Sequence, residues 1–385
     1  MKTLKRILAA TTLLVTLGFA SEANAQVPLE NFFKNPEKAG YQISPDGKYF
    51  SYMAPYENRL NLFVQEVGSD KATRITSETV RDLAGSMWAN GHRILYIKDT
   101  AGDENFQLYG VNVDGTDSKA YTAFPKVRTT IIDPLENIDS LVIIGLNKRN
   151  PQVFDPYRLN LNNGELTQLA ENPGNIQGWM TDHNGKLRVA LAIVDGVNTQ
   201  ILYRETEEQP FRPVLTTNFK ETVSFATFTP DNKMVYALTN IGRDKTALVL
   251  MDPATCEEKE VLYTNDKYDI SGLGYSELKK KLISVSCTGH KGTIRHYFDK
   301  NEEAIRTKLE QKLEGYDINT TSEDKSENIR IIYAGGDRTY GTYYTYNVKE
   351  DKLTKIADLA PWIKEEDMVP MHPITYTSRD GLTIE

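Results

Sequence analysis

The chain is poor in the residues that most directly supply cross-links or chemistry. It has two cysteines, Cys256 and Cys287, in 385 residues. That is too few for a disulfide framework; they fall in neighbouring repeats, so one bridge or two free thiols are the readings left open. It contains no G-x-S-x-G run, so the ordinary nucleophile elbow of an α/β-hydrolase is absent from these residues. The nearest match, Gly274-Tyr275-Ser276-Glu277-Leu278, lacks the closing glycine and is followed by no helical pattern, so Ser276 reads as a loop serine at a turn. The five histidines, His92, His183, His290, His296 and His372, form no H-x-x-x-H or H-E-x-x-H pair, and a zinc site of the usual spacing is excluded. Basic residues are in deficit, with a net charge of −8. That balance argues against nucleic acid, whose binding needs a basic surface. After the first 25 residues no apolar run is long enough to span a bilayer.

What is present is organised by a repeat. Turn signals recur at Pro45-Asp46-Gly47, Ala89-Asn90-Gly91, Leu135-Glu136-Asn137, His183-Asn184-Gly185 and Pro230-Asp231-Asn232, then more weakly at Glu277-Leu278-Lys279 and Ser326-Glu327-Asn328. The steps are roughly 44 to 50 residues, the period of a four-stranded propeller blade. Each signal precedes a β-rich run such as Ile94-Leu95-Tyr96-Ile97 or Leu141-Val142-Ile143-Ile144, and a further hairpin follows, as in Ala247-Leu248-Val249-Leu250-Met251 before Asp252-Pro253. With 21 tyrosines and many Thr and Val, the composition favours sheet. A single blade cannot bury both faces, so neighbours must stack around an axis. The expected fold is all-β, a seven-bladed β-propeller over residues 36–360.

Both flanks depart from the repeat. Residues 1–25 read as a signal peptide: Lys2, Lys5 and Arg6, an apolar stretch from Ile7 to Ala20, and the small-x-small site Ala23-Asn24-Ala25. Its removal takes away three basic residues and one acidic one, and the charge becomes −10. Residues 26–35 form a short N-terminal segment. The expected location is exported, periplasmic or secreted. Inside the sixth repeat, Asn301 to Leu313 reads as a helix on the propeller rim, with Ile305, Leu309 and Leu313 on one face, Glu302 and Glu303 in the first turn, and Gly315 beyond its end. Residues 361–385 read as a linker and the first strands of another domain. Ile374-Thr375-Tyr376-Thr377 alternates as a strand, Ser378-Arg379-Asp380-Gly381 turns, and Leu382-Thr383-Ile384-Glu385 starts back. A hairpin that stops in mid-ladder leaves backbone groups without partners, so the expectation is a further domain truncated at its start.

These features resemble the prolyl oligopeptidase family of serine peptidases, in particular its dipeptidyl-peptidase and acylaminoacyl-peptidase-like bacterial members. The carrying residues are the opening Val27-Pro28-Leu29-Glu30-Asn31-Phe32-Phe33, the first-blade Gln42-Ile43-Ser44-Pro45-Asp46-Gly47-Lys48, the stretch from Leu309 through Tyr316 to Asn328, and the strand pair Tyr376 to Ile384. The resemblance implies that the truncated further domain is an α/β-hydrolase domain, carrying a Ser-Asp-His triad and capped by the propeller, with short peptides as substrates reached through that domain. The propeller would filter substrates by excluding large folded proteins. No triad residue transfers, because the matching positions lie beyond Glu385. The chain alone is therefore expected to be inactive on peptides.

No catalytic, cofactor-binding or metal-ligating residue is assigned, and no cofactor is expected. His92 and His183 flank blade turns as solvated side chains, and His290 and His296 lie in a loop. The acidic groups Glu205 to Glu208 and Glu257-Glu258 read as hydrated surface rather than a glycosidase pair. Asp99 to Glu104 lacks EF-hand spacing and reads as an inter-strand loop. The alternative reading is a non-catalytic periplasmic propeller that binds a protein partner, like TolB. A third, a propeller hydrolase of sugars or lactones, needs converging acids or a metal at the axis. Cleavage specificity and oligomeric state are left open.

Overall fold

The computed structural model describes residues 27–290 and 292–384; the leader expected at 1–25 lies outside them. A five-residue helix, α1 (Leu29–Phe33), precedes the sheets. Sheet one is β1 (Ala39–Ile43), β2 (Tyr49–Tyr56), β3 (Arg59–Glu66) and β4 (Ala72–Arg74). Sheet two is β5 (Gly85–Asn90), β6 (Arg93–Lys98), β7 (Gln107–Asn112) and β8 (Lys119–Ala120). Sheet three is β9 (Thr129–Asp133), β10 (Leu141–Asn150), β11 (Val153–Asn160) and β12 (Leu166–Gln168). Sheet four is β13 (Ile176–Thr181), β14 (Leu187–Val194), β15 (Asn198–Tyr203) and β16 (Arg212–Thr217). Sheet five is β17 (Val223–Phe228), β18 (Val235–Thr239), β19 (Ala247–Met251) and β20 (Glu258–Tyr263). Sheet six is β21 (Ile270–Ser276), β22 (Lys281–Gly289) and β23 (Gly292–Tyr297), and α2 (Lys300–Lys312) follows it. Sheet seven is β24 (Asp317–Glu323), β25 (Ile329–Gly336), β26 (Thr339–Asn347) and β27 (Lys352–Asp358). Every pairing is antiparallel between strands consecutive in the chain. These are the seven blades that the repeat predicts.

Burial places each sheet radially. In the second strands the side chains of Ile94, Val142, Ile143, Ile144 and Ile331 are sealed between neighbours. The fourth strands β4, β8, β12, β20 and β27 contain no buried residue and form the rim. Apolar clusters cross from sheet one to two, two to three, four to five, and five to six. Among the described residues, no strand from one chain end enters the sheet of the other. The ring closes by side-chain packing of Tyr41, Ile43 and Tyr52 against Ile331 and Tyr343. Two hydrogen bonds cross the same closure: Ile43 N to Ser322 Oγ at 3.1 Å and Lys325 N to Pro45 O at 2.9 Å.

The seven signals all connect the first and second strands of a sheet, and one device shapes them. An oxygen-bearing side chain at the end of the first strand accepts from backbone N–H groups inside the turn. Ser44 does so for Lys48 and Tyr49, Asn90 for His92, Asp133 for Leu135, and Asp182 for Asn184 and Lys186. Thr229 does so for Met234, Ser276 for Lys279, and Asp324 for Asn328 and Ile329. Such short polar side chains stabilise turns by substituting for a backbone acceptor. Gly47 adds a positive φ of 74°, and a Cβ there would sit 3.1 Å from Asp324 Oδ2 of the neighbouring turn.

Sheet six corrects one expectation. Its chain does not form a fourth strand, and α2 is no mere rim excursion. Asp299 caps the helix by accepting from Asn301 N and Glu302 N, and Leu313 ends it. Leu309 and Leu313 are buried against Ile318, Ile332, Ala334 and Tyr346 of sheet seven. The helix covers the apolar face that the missing strand leaves.

Candidate functional site

The first strands stand innermost: β1 lies against β24, and β9 against β13, around the axis. In a four-stranded antiparallel sheet the chain enters and leaves at the end opposite the first turn. The ring therefore has a turn end, where the seven 1–2 turns gather. It also has a terminal end, where residues 27–38 and 359–384 emerge.

At the turn end, side chains reach across the axis. Lys325 Nζ of turn seven lies 2.7 Å from Asp139 Oδ1 of turn three. Asn137 of turn three donates to Glu277 Oε2 of turn six at 2.9 Å. The other oxygen of Glu277 lies 3.6 Å from His183 Nδ1 of turn four, whose ring stacks on Tyr275 with centroids 5.3 Å apart. Beneath these bridges is a cavity of about 300 Å³ whose lining includes Asp133, Glu136, Trp179, Asp182, His183 and Glu277.

The cavity is acidic. Burial raises the Glu136 carboxyl above its ordinary value, and repulsion from Glu277 and Asp133 adds to it, while Lys325 counteracts. Burial and Glu277 push the Tyr275 hydroxyl up to about 12. A nucleophile–base pair is not assembled here. His183 Nε2 is 2.9 Å from the Phe228 carbonyl, and its backbone N–H donates to Asn232 Oδ1. Thr181 donates to Asp133 and is thereby occupied. Acids and an imidazole around this cavity can repel anions and hold cationic or hydrogen-bonding groups.

His183 is thus a correction to its reading as a solvated turn residue: it is half-buried and contacts sheets five and six. Sequence reading missed it because its partners lie 45 to 94 positions away. Ser276 is also corrected. It ends β21, is buried, donates to Glu327 and accepts from Lys279 N, the turn-head role of Ser44. His296 lies within β23 rather than a loop, stacked 4.5 Å from Tyr263 and edge-on to Phe298. His290 follows β22, with its N–H on Tyr268. His92 and His372 are exposed.

Glu207 departs from the hydrated-surface reading: it accepts from Arg158 at 2.7 Å and from Leu187 N at 3.0 Å. Glu205 accepts from the Tyr203 hydroxyl and pairs with buried Arg188. Glu257 remains exposed beside Lys259. The 99–104 stretch is an inter-strand loop in which Asp99 is buried against Arg81 at 3.2 Å. Cys256 and Cys287 are free thiols. Burial, then Asp252, pushes the Cys256 thiol up to about 12, and burial raises Cys287 too, so neither is primed as a thiolate. Among the described residues, no group of three or more His, Cys, Asp or Glu side chains could hold a metal ion. No described helix is long and apolar enough to cross a membrane.

No family model matches the chain. Dipeptidyl aminopeptidase BIII of Pseudoxanthomonas mexicana is 29% identical over 364 residues, 91% of this chain and 51% of the relative. Dipeptidyl peptidase family member 6 of Caenorhabditis elegans is 26% identical over 397 residues, 97% of this chain and 52% of the relative. The chain spans about half the length of the curated relatives it matches. A prolyl endopeptidase structure superimposes with a TM-score of 0.61 at 13% identity, covering 97% of this chain and 58% of that one. Prolyl oligopeptidase B from Galerina marginata gives 0.58 at 12% identity, covering 92% and 56%. The TolB-like alternative gains nothing: TolB from Acinetobacter baumannii reaches a TM-score of only 0.35. The resemblance read from the sequence holds, with dipeptidyl peptidase homologues and prolyl oligopeptidases as structural neighbours.

Proposed function

Because its homologues are dipeptidyl peptidases and its fold is that of the prolyl oligopeptidase propeller, we propose that this chain is the propeller portion of an exported serine peptidase that hydrolyses short peptides. In this reading the ring closes one side of a reaction chamber and admits peptides by size. Attack on the peptide carbonyl, proton shuttling and oxyanion stabilisation would fall to a hydrolase module rather than to the ring. Homology along 91% of the chain carries the reading.

Two features of the terminal end support it. Leu29 and Phe33 are 71% and 78% exposed, and Met371 and Ile374 are 76% and 75% exposed, so both chain ends offer apolar side chains to a covering module. They are also held together: Trp362 Nε1 donates to Asn31 O at 2.9 Å, and Tyr340 donates to Phe32 O at 2.6 Å. Lys34 sits 4.2 Å over the Trp362 ring. Export rests on Lys2, Lys5 and Arg6, the apolar run and Ala23-Asn24-Ala25.

The test compares two proteins on chromogenic dipeptide and acyl-amino-acid substrates: this chain, and a protein whose reading frame continues past Glu385. The longer protein should turn substrate over and be silenced by a serine-directed inhibitor, and the chain alone should not. Turnover by the chain alone, or none by the longer protein, would reject the reading.

A further inference from the structure

We infer that the junction between sheets six and seven is where the ring opens, with α2 moving together with sheet seven. The inference concerns this chain alone and does not depend on the peptidase reading. It begins with the two faces of sheet six. Leu273, Leu282, Val285 and Cys287 pack toward sheet five, against Leu248, Tyr236 and Leu238. Side chains alternate across a strand, so the other face looks toward sheet seven. That face carries Gly272 and Gly274, each with a serine hydroxyl closing over it: Ser286 Oγ at 2.8 Å and Ser284 Oγ at 2.7 Å from where a Cβ would stand. Ser284 and Ser286 are only half-buried although they sit in a second strand, so water reaches this face.

Among the described residues, no apolar cluster joins the strands of sheet six to those of sheet seven; the apolar face of sheet seven is covered by α2 instead. The junction of sheets three and four also lacks a spanning cluster, but it is dry: Ile143, Ala190 and Ala192 are 0%, 1% and 0% exposed. What ties sheet six to its neighbour is polar. Ser276 donates to Glu327, and Lys279 Nζ lies 3.0 Å from Glu327 and 2.7 Å from Glu302. Lys281 Nζ lies 2.6 Å from Asp299, and Arg295 lies 3.4 Å from Asn319. Both lysines are partly exposed, so these pairs are open to screening.

On its other side α2 is held far more firmly. Beyond Leu309 and Leu313, Arg330 of β25 makes a buried two-pronged contact with Glu302 at 2.8 and 3.0 Å. Arg306 donates to Ile318 O at 2.6 Å, and Lys308 and Lys312 approach Asp351 at 3.5 Å. Parting sheet six from α2 exchanges ion pairs for water. Parting α2 from sheet seven uncovers an apolar core and takes from buried Arg330 its two-pronged partner, leaving it with the Glu323 ion pair at 3.3 Å.

Amide hydrogen exchange on the full chain, followed peptide by peptide, tests this. Under native conditions residues 270–289 should exchange at least about threefold faster than residues 39–56, while 300–312 exchanges in step with 329–347. Lys279→Met should accelerate 270–289 by a further factor of about three and leave 39–56 unchanged; raising salt on the unmodified chain should act in the same direction. Equal or faster exchange in 39–56, helix exchange in step with sheet six, or indifference to both Lys279→Met and salt would each overturn the inference.

Discussion

Sheet seven meets its two neighbours by opposite means. Toward sheet one, where the chain offers no covalent link, it packs Ile331 and Tyr343 against Tyr41, Ile43 and Tyr52, with the Tyr41 and Tyr343 rings 5.4 Å apart. Toward sheet six, to which α2 connects it, it relies on the helix and a set of charges. A junction without a connecting chain must hold through contact energy alone, and apolar burial supplies that without salt or pH dependence. A junction with a connection keeps its partners at high local concentration and tolerates weaker, hydrated contacts. Sequence adjacency is therefore no measure of junction strength in this ring.

The contrast can be broken from either side. The largest effect is expected from Glu302→Ala, which removes the two-pronged partner of buried Arg330 and leaves it with the Glu323 ion pair at 3.3 Å; thermal unfolding should show a loss of about 3–5 kcal/mol. Ile43→Ala on the other junction should cost roughly 2–5 kcal/mol, and repeating the melt at high salt should leave that loss unchanged. Acid should separate the two. Burial pulls the Glu302 carboxyl up, but Arg330 and Lys279 outweigh it and hold it below its ordinary 4.5. Its contribution is whole above that value and drains away as pH falls through the folded one. Asp299, held at about 2 mainly by Lys281 and by Glu302 N, weakens over the same range below 3.8. Burial raises Glu323, which works against them. Protection of 270–289, taken relative to the intrinsic amide rate at each pH, should fall below pH 4.5 before that of 39–56, and a simultaneous fall would contradict the assignment.

Asp299→Ala removes the cap of α2 and should lower stability by about 1 kcal/mol in the same melts. The smallest change is expected at the axis. Lys325→Ala removes an exposed pair with Asp139, worth under about 1 kcal/mol, so the melting temperature should barely move.

The blades were legible because their signals are local. A turn declares itself within five residues, as at Ser44 to Tyr49, and the α2 periodicity within one run, from Ile305 to Leu313. The observed helix, Lys300–Lys312, lies one residue from its expected bounds because Asp299 supplies the cap. The axial site was illegible because its parts are separated along the chain: Asn137 meets Glu277, and Asp139 meets Lys325, only after the ring has closed. Glu207 was misjudged for the same reason, since Arg158 is 49 positions away. Ser276 reads from the sequence as a serine at a turn rather than a nucleophile, and its hydroxyl accepts there from Lys279 N.

The turn heads run Ser44, Asn90, Asp133, Asp182, Thr229, Ser276 and Asp324, four residue types filling one post. The post asks for a single lone pair at a fixed spot, and a hydroxyl, an amide or a carboxylate can each supply it. A blade can therefore exchange the residue at this post while its turn keeps its outline.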